Sequence, residues 1–310
     1  MNRNALRILL GGLAVAALST PAVAQDAAVQ KAPVEPLVEA SWLMDHLEDP
    51  DVVVLHVGGR PEGFAEAHIP GARMLGVQDI AWDGEQGWRV EFRDNDEMID
   101  ALRNVGVNQD SKVIIYGPRM TSTARTWVTF DFLGLGQQAF LLNGGLDAWK
   151  EAGGLIESGN GTTAAKGDVS AVAPVDFRVS AEWILDRLDD ESVALIDARP
   201  DDEFTGDDEG MGGMANPGHI PGAAQLYWEE LMTEDNVNRF RPSEELEDLL
   251  LRHGAGPDKT NVSYCMIGLR ASVDYMAMRM MGWDVQFYDG SWHDWGTRDL
   301  PTALGADIPR

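Results

Sequence analysis

The stretch Tyr264-Cys265-Met266-Ile267-Gly268-Leu269-Arg270-Ala271-Ser272 holds the only cysteine in a chain of 310 residues. A β-prone run over 261–264 leads into Cys265, a short turn with Gly268 follows, and a helix-like pattern runs from 271 to about 281. A thiol at a strand tip that faces a helix N-terminus lies where backbone N–H groups converge and the helix dipole adds to them. Such a field favours thiolate, the nucleophilic form. Arg270 adds a full positive charge at the junction with the helix. The other reading is a small buried hydrophobe, the commonest fate of a lone cysteine. The rest of the chain must decide between the two.

Lys and Arg number 24 against 51 Asp and Glu, a formal charge of −27 spread along the chain. That balance excludes nucleic acid as the expected partner, because phosphate binding needs a basic face. An anionic substrate must then be drawn in by local cations against the overall field. A single cysteine allows no internal disulfide, and no Cys/His cluster has zinc spacing, so neither a metal nor another cofactor is expected. Arg3 and Arg7, an apolar run over 8–18 and Ala22-Val23-Ala24 read as a secretory signal peptide over 1–24, cut before Gln25. The apolar run is short for a membrane span, and no later segment is long and apolar enough. The mature protein is therefore expected to be soluble and periplasmic. An odd cysteine in such a compartment is either protected or used.

Strands and helices alternate along the chain. After a loose lead-in (25–36), helices are expected at 37–47, 94–104 and 121–133, with strands at 52–57, 112–116 and 139–142. This order argues for a parallel sheet covered by helices. The second half repeats it, with helices at 180–188 and 244–253 and strands at 193–197 and 261–264. His68-Ile69-Pro70-Gly71-Ala72 recurs as His219-Ile220-Pro221-Gly222-Ala223, about 150 residues on, a spacing that suits a duplicated domain. The expected division is a first domain over 37–152, a Gly-, Thr- and Ala-rich linker over 153–174 and a second domain over 175–302. Aligning the two central strands sets Gly117 opposite Cys265, so the first copy has no nucleophile at that position.

These elements together resemble the rhodanese family of sulfurtransferases in its tandem-domain form. The resemblance rests on both His-Ile-Pro-Gly-Ala turns, on Asp197-Ala198-Arg199 after a strand and on Cys265-x-x-Gly268-x-Arg270. Two further turns carry it, Asn143-Gly144-Gly145…Trp149 and Asp289-Gly290…Trp295. It implies an α/β fold of two rhodanese-like domains, each a parallel β-sheet covered by helices on both faces, with the second domain catalytic and the first inactive. It also implies that Cys265 takes sulfur from a small anionic donor, thiosulfate or 3-mercaptopyruvate. The cysteine holds that sulfur as a persulfide and passes it to a thiol or to cyanide. Loop N–H groups from Met266 through Ile267, Gly268 and Leu269 to Arg270 would cradle the anionic sulfur.

Departures from the family pattern limit the substrate. Thiosulfate-specific members carry basic residues just after the cysteine, where this chain has Met266 and Ile267, and it also lacks the Cys-Gly-Ser-Gly loop of mercaptopyruvate-specific members. Four residues past Arg199 stands Glu203, where vertebrate tandem members carry a second arginine. Cationic substrate contacts thus reduce to Arg270 and Arg199, with Arg60 or Arg119 reaching in from the other domain. Each has a structural alternative: Arg270 pairing with a carboxylate to fix the loop, Arg199 bracing a turn. His68 and His219 read as turn residues, since the copy without a nucleophile has one too. The methionines at 276, 278, 280 and 281, with Trp292 and Trp295, read as packing, and the acidic loop 201–209 as solvated surface. Two other functions compete with sulfur transfer. Phosphatases that share the fold space cysteine and arginine by five residues, where only Met266, Ile267, Gly268 and Leu269 intervene here, a smaller ring that suits one sulfur better than a phosphate. The other is a non-catalytic sulfur carrier or protein-interaction module.

Overall fold

In the strand Val52–Val57 successive side chains point to opposite faces: Val53, Leu55 and Val57 on one, Val52, Val54 and the buried His56 on the other. Val53, Leu55 and Val57 pack with Ala124, Trp127 and Val128 of the helix Met120–Phe132, whereas Val54 packs with Leu43, Phe64 and Trp149 on the other side. A strand buried on both faces belongs inside a parallel sheet with helices above and below. The computed structural model, which describes residues 33–82, 90–208 and 216–305, has that arrangement twice. The signal peptide expected over 1–24 lies outside the described residues.

In the first domain the strand order is Leu37–Val38, Ala139–Leu142, Lys112–Tyr116, Val52–Val57, Arg73–Leu75, with every neighbouring pair parallel. In the second it is Val285–Phe287, Thr260–Tyr264, Val193–Asp197, Ala224–Gln225, again all parallel. The equivalent central strands, Lys112–Tyr116 and Thr260–Tyr264, are followed by Gly117 and Cys265. A Cβ at Gly117 would lie 2.1 Å from the Val57 carbonyl oxygen, so that position in the first domain has no room for any side chain.

The His-Ile-Pro-Gly-Ala turns tie helix to strand in both copies. His68 and His219 donate through Nδ1 to the Phe64 and Phe204 carbonyls, both at 2.8 Å, and stack on those same phenyl rings. The Ile69 and Ile220 amides donate to the phenol oxygens of Tyr116 and Tyr264 at 3.0 and 3.3 Å. Each histidine is thereby committed to its own turn.

Three segments differ from the sequence expectation. Helix was expected from residue 37, yet Leu37–Val38 is a strand and the helix is Ala40–His46. The edge of Ala139–Leu142 would otherwise leave ladder groups unpaired; Leu141 donates to the Pro36 carbonyl at 2.7 Å and Asn143 to that of Val38 at 2.9 Å. The end of the lead-in, 33–36, is pinned as well, because Val34 is buried and its amide donates to Arg279 of the second domain. The connecting segment is laid along the first domain rather than left free. Gly159 donates to Ala65 at 2.8 Å, Gly167 to Arg103 at 2.8 Å and Val172 to Leu133 at 2.9 Å, and Val169 is buried.

The two domains share one hydrophobic core. The equivalent helices Met120–Phe132 and Ala271–Met280 pack on each other between the sheets, with Trp127, Val128, Val273 and Met276 buried there. At one end Asp131 of the first domain accepts from the Tyr275 hydroxyl at 2.8 Å and from Arg279 Nε at 3.1 Å. Replacing Asp131 by alanine strands the Arg279 charge at the interface. Asp131→Ala is expected to lose about 3 kcal/mol of unfolding free energy in urea denaturation.

Candidate active site

Cys265 follows the last residue of the central strand of the second domain, at the carboxyl end where parallel sheets open clefts. Its side chain is fully buried. The loop turns back at Gly268, whose φ of +85° is open to glycine at little cost, and the Gly268 amide donates to Cys265 Sγ at 3.2 Å. Among the described residues the amides of Met266, Ile267, Leu269 and Arg270 have no hydrogen-bond acceptor. The loop then feeds the helix Ala271–Met280, and Ser272 Oγ donates back to the Gly268 carbonyl at 2.8 Å. On its other side the loop is held by the turn after Asp289. The Cys265 amide donates to Ser291 Oγ at 3.3 Å, and the Trp292 amide donates to the Cys265 carbonyl at 2.9 Å.

Cys265 opens on a cavity of about 450 Å³ between the domains. The second domain supplies Ile267, Leu269, Arg270, Trp228 and Val237, together with Glu203 and Glu229. The first domain supplies Pro118, Arg119, Met120 and Thr121, the very loop that corresponds to the cysteine loop. Each copy therefore brings the same structural element to the site, one with the thiol and one without.

The sequence-derived site residues do not all arrive there. Ile267, Leu269 and Arg270 line the cavity with Cys265. Gly268 reaches the sulfur through its amide, whereas the Met266 side chain is buried in the core with Tyr264 and Trp292. Arg270 makes a two-pronged pair with Glu203, at 2.8 and 2.7 Å. Burial would lower its affinity for the proton, but the Glu203 bond and the charge of Cys265 more than offset this and hold the guanidinium above its ordinary value. Arg199, expected among the substrate contacts, is not one of the cavity-lining residues. It is buried, paired with Asp197 at 2.7 Å, bonded to the Gly218 carbonyl at 2.8 Å and laid over the Trp292 ring at 4.8 Å. Those partners occupy the guanidinium, and it braces the turn that begins at Pro200. Arg60 lines a separate cavity around Gly117 in the first domain, and Arg119 lines both.

Trp228, Glu229 and Val237 were not singled out from sequence. They come from the segment between Ala224–Gln225 and the helix Ser243–Arg252, which carries no motif. Its signal is the polar cluster Thr233-Glu234-Asp235-Asn236 between β-prone runs, and Met232–Thr233 does pair antiparallel with Asn236–Phe240. A larger cleft, about 700 Å³, lies elsewhere on the interface among Glu91, Arg178, Asp289 and Asp294. It has no cysteine in its lining. Among the described residues no group of three His, Cys, Asp or Glu is placed to hold a metal.

Comparison with known proteins agrees with this geometry. The family model for the rhodanese-like domain matches residues 39–152 and 180–298. A thiosulfate sulfurtransferase of Corynebacterium glutamicum is 30% identical over 84% of this chain and 88% of its own. A 3-mercaptopyruvate sulfurtransferase of Escherichia coli is 28% identical over 85% of this chain and 96% of its own. The sulfur carrier protein TtuD of Thermus thermophilus is 29% identical over 88% and 98%. The solved structure of SseA from Escherichia coli superposes with a TM-score of 0.72 at 25% identity, covering 84% of this chain and 99% of that one.

Two outcomes follow from this geometry. Arg199→Ala should cost about 3–5 kcal/mol in chemical denaturation, because Asp197 is left as an uncompensated buried charge. In the fraction that folds, KM for an anionic sulfur donor should stay at the wild-type value. In the larger cleft Glu91 is pushed up to about 7 from an ordinary 4.5 by burial, with the charges of Asp289 and Asp294 adding to it. The folded state then holds this proton more tightly than the unfolded chain does. The stability it contributes is present below about pH 4.5 and is lost as pH rises through about 7. Glu91→Gln should gain Tm relative to wild type between about pH 5 and about pH 8, and thermal melts across that range would read the difference.

Proposed function

We propose that this chain, which belongs to the rhodanese-like domain family, carries sulfur on Cys265 as a persulfide, taking it from thiosulfate or 3-mercaptopyruvate and passing it to a thiol or cyanide. The Corynebacterium glutamicum and Escherichia coli relatives, similar along most of their length, are both named as sulfurtransferases. The observation that carries the reading is a buried sulfur that receives the Gly268 amide at 3.2 Å and opens on a cavity built by both domains.

With thiosulfate, the Cys265 thiolate attacks the outer sulfur. A new S–S bond forms, the old one breaks, and its electron pair leaves with sulfite. The persulfide carries its charge on the terminal sulfur, where the unengaged amides of Met266, Ile267, Leu269 and Arg270 are available to it. Donors held in place for a developing charge need no reorganisation, and losing one typically costs on the order of 3 kcal/mol of barrier. Attack by a thiol or cyanide on the terminal sulfur returns the Cys265 thiolate, which closes a ping-pong cycle. Four residues between Cys265 and Arg270 make a ring suited to one sulfur, which weighs against phosphate chemistry.

A carrier that loads once without fast turnover is the second reading. Arg270 tied to Glu203 favours it, as does the similarity to a protein named as a sulfur carrier. For either function, the signal-peptide pattern read at 1–24 supports a periplasmic location.

Intact mass of the purified mature chain, before and after thiosulfate or 3-mercaptopyruvate, tests the proposal. The expected result is a gain of one sulfur that cyanide removes and that Cys265→Ser lacks. No gain from either donor overturns it, and a gain without repeated thiocyanate formation selects the carrier.

A further inference from the structure

A second cavity, of about 460 Å³, lies in the first domain around Gly117, the residue that corresponds to Cys265 of the other copy. A volume of that size suits a small molecule. Arg60 and Arg119 line it as cations and Asp147 as an anion. All three are exposed, and among the described residues none of their side chains has an ion-pair or hydrogen-bond partner. Opposite charges therefore share one cavity without pairing with each other. Two further groups of the same lining are buried and unmet. His56 is 6% exposed and its Nδ1 has no hydrogen-bond partner, and Asn238 Oδ1 accepts no hydrogen bond. Burying such groups without partners is costly, and folded proteins seldom leave them so. Burial, with the charge of His68 adding to it, pushes His56 down to about 4 against a smaller pull from the Gly58 backbone. The ring is thus neutral at neutral pH.

Asn238 reaches this cavity from the second domain. It follows Val237 in the strand Asn236–Phe240, where neighbouring side chains point to opposite faces. Val237 accordingly lines the Cys265 cavity and Asn238 lines this one. Phe64 and Leu146 give the lining an apolar part. We propose that the cavity binds a zwitterion of the α-amino-acid kind with an apolar side chain. Arg60 and Arg119 hold its carboxylate, to which the neutral His56 ring has one N–H to give. Asp147 and Asn238 Oδ1 accept from its ammonium group, and its side chain covers Phe64 and Leu146. A carboxylate alone leaves Asp147 and Asn238 without a donor, and an amine alone leaves both guanidinium groups without an acceptor. Charge-assisted hydrogen bonds at both ends are the strong kind. Binding of this sort needs no sulfur on Cys265 and stands apart from sulfur transfer.

Isothermal titration of the purified mature chain with L-leucine, 4-methylpentanoate and 3-methylbutylamine tests this, since the last two each keep one end of leucine. The Kd of leucine is expected to lie about tenfold or more below that of either half. Arg60 and Asp147 do not line the Cys265 cavity, so their variants report on this cavity alone. Arg60→Gln and Asp147→Asn, both exposed changes, should each raise the leucine Kd about tenfold, while Asp147→Asn leaves 4-methylpentanoate binding as it was. Thermal melts give a second readout: saturating leucine raises the wild-type Tm, and the same concentration raises that of Asp147→Asn less. The proposal is overturned by an absence of saturable leucine binding, or by 4-methylpentanoate binding as tightly as leucine. A leucine Kd unmoved in either variant places the amino acid elsewhere and overturns it too.

Discussion

The Arg125 guanidinium, contributed by the domain without a nucleophile, is fully buried behind the cysteine loop. It lies 3.7 Å from the centre of the Phe92 ring, donates to the Val90 carbonyl at 2.7 Å and pairs with Asp289 of the second domain at 2.9 Å. Asp289 in turn accepts from the Phe92 amide at 2.9 Å. The turn that begins at Asp289 carries Ser291 and Trp292, the two residues bonded to the Cys265 backbone. A charge taken out of water must be paired well or it destabilises. Meeting that demand fixes the turn, and the turn fixes the loop. The backbone of Gly268 also passes close to Arg125, since a Cβ there would lie 3.4 Å from its Nη1.

That dependence explains what the domain without the cysteine contributes. Gly117 has no space for a side chain, so the first copy cannot act through that position. Its helix Met120–Phe132 nevertheless packs in the shared core, and the loop before that helix forms one wall of the cavity. The duplicated fold brings two equivalent loops to one cavity. One supplies the thiol, and the other supplies shape and a cation.

The charge of the whole molecule and that of the site follow different rules. A chain of net charge −27 repels anions at long range, and salt screens that effect over about 8–10 Å. Inside the cavity the balance is local and even in sign, and the short Arg270–Glu203 pair is largely shielded from solvent. Arginine close to a thiol therefore does not by itself make a cationic pocket; what else the arginine touches decides that.

Sequence alone determined the repeat, the α/β alternation and the one cysteine that is the candidate nucleophile. These are local or periodic properties: strand and helix period, turn residues whose backbone needs are written in their own chemistry, and a cysteine that occurs once. The helix boundaries at Ala271–Met280 and Met120–Phe132 were legible for that reason. The edge strand Leu37–Val38 was not, because two residues carry no period and become a strand only where a neighbouring edge offers unpaired groups. Tertiary structure alone decided which charges are free. Arg199, Arg270 and Arg119 look alike in sequence, yet Asp197 and Glu203 occupy the first two and nothing among the described residues occupies the third. It also decided that Trp228 and Val237 join a site more than twenty-five residues away in sequence. An arginine's partner is set by which loops the sheet order brings together, and that information is in the packing of the two domains rather than in the spacing of residues along the chain.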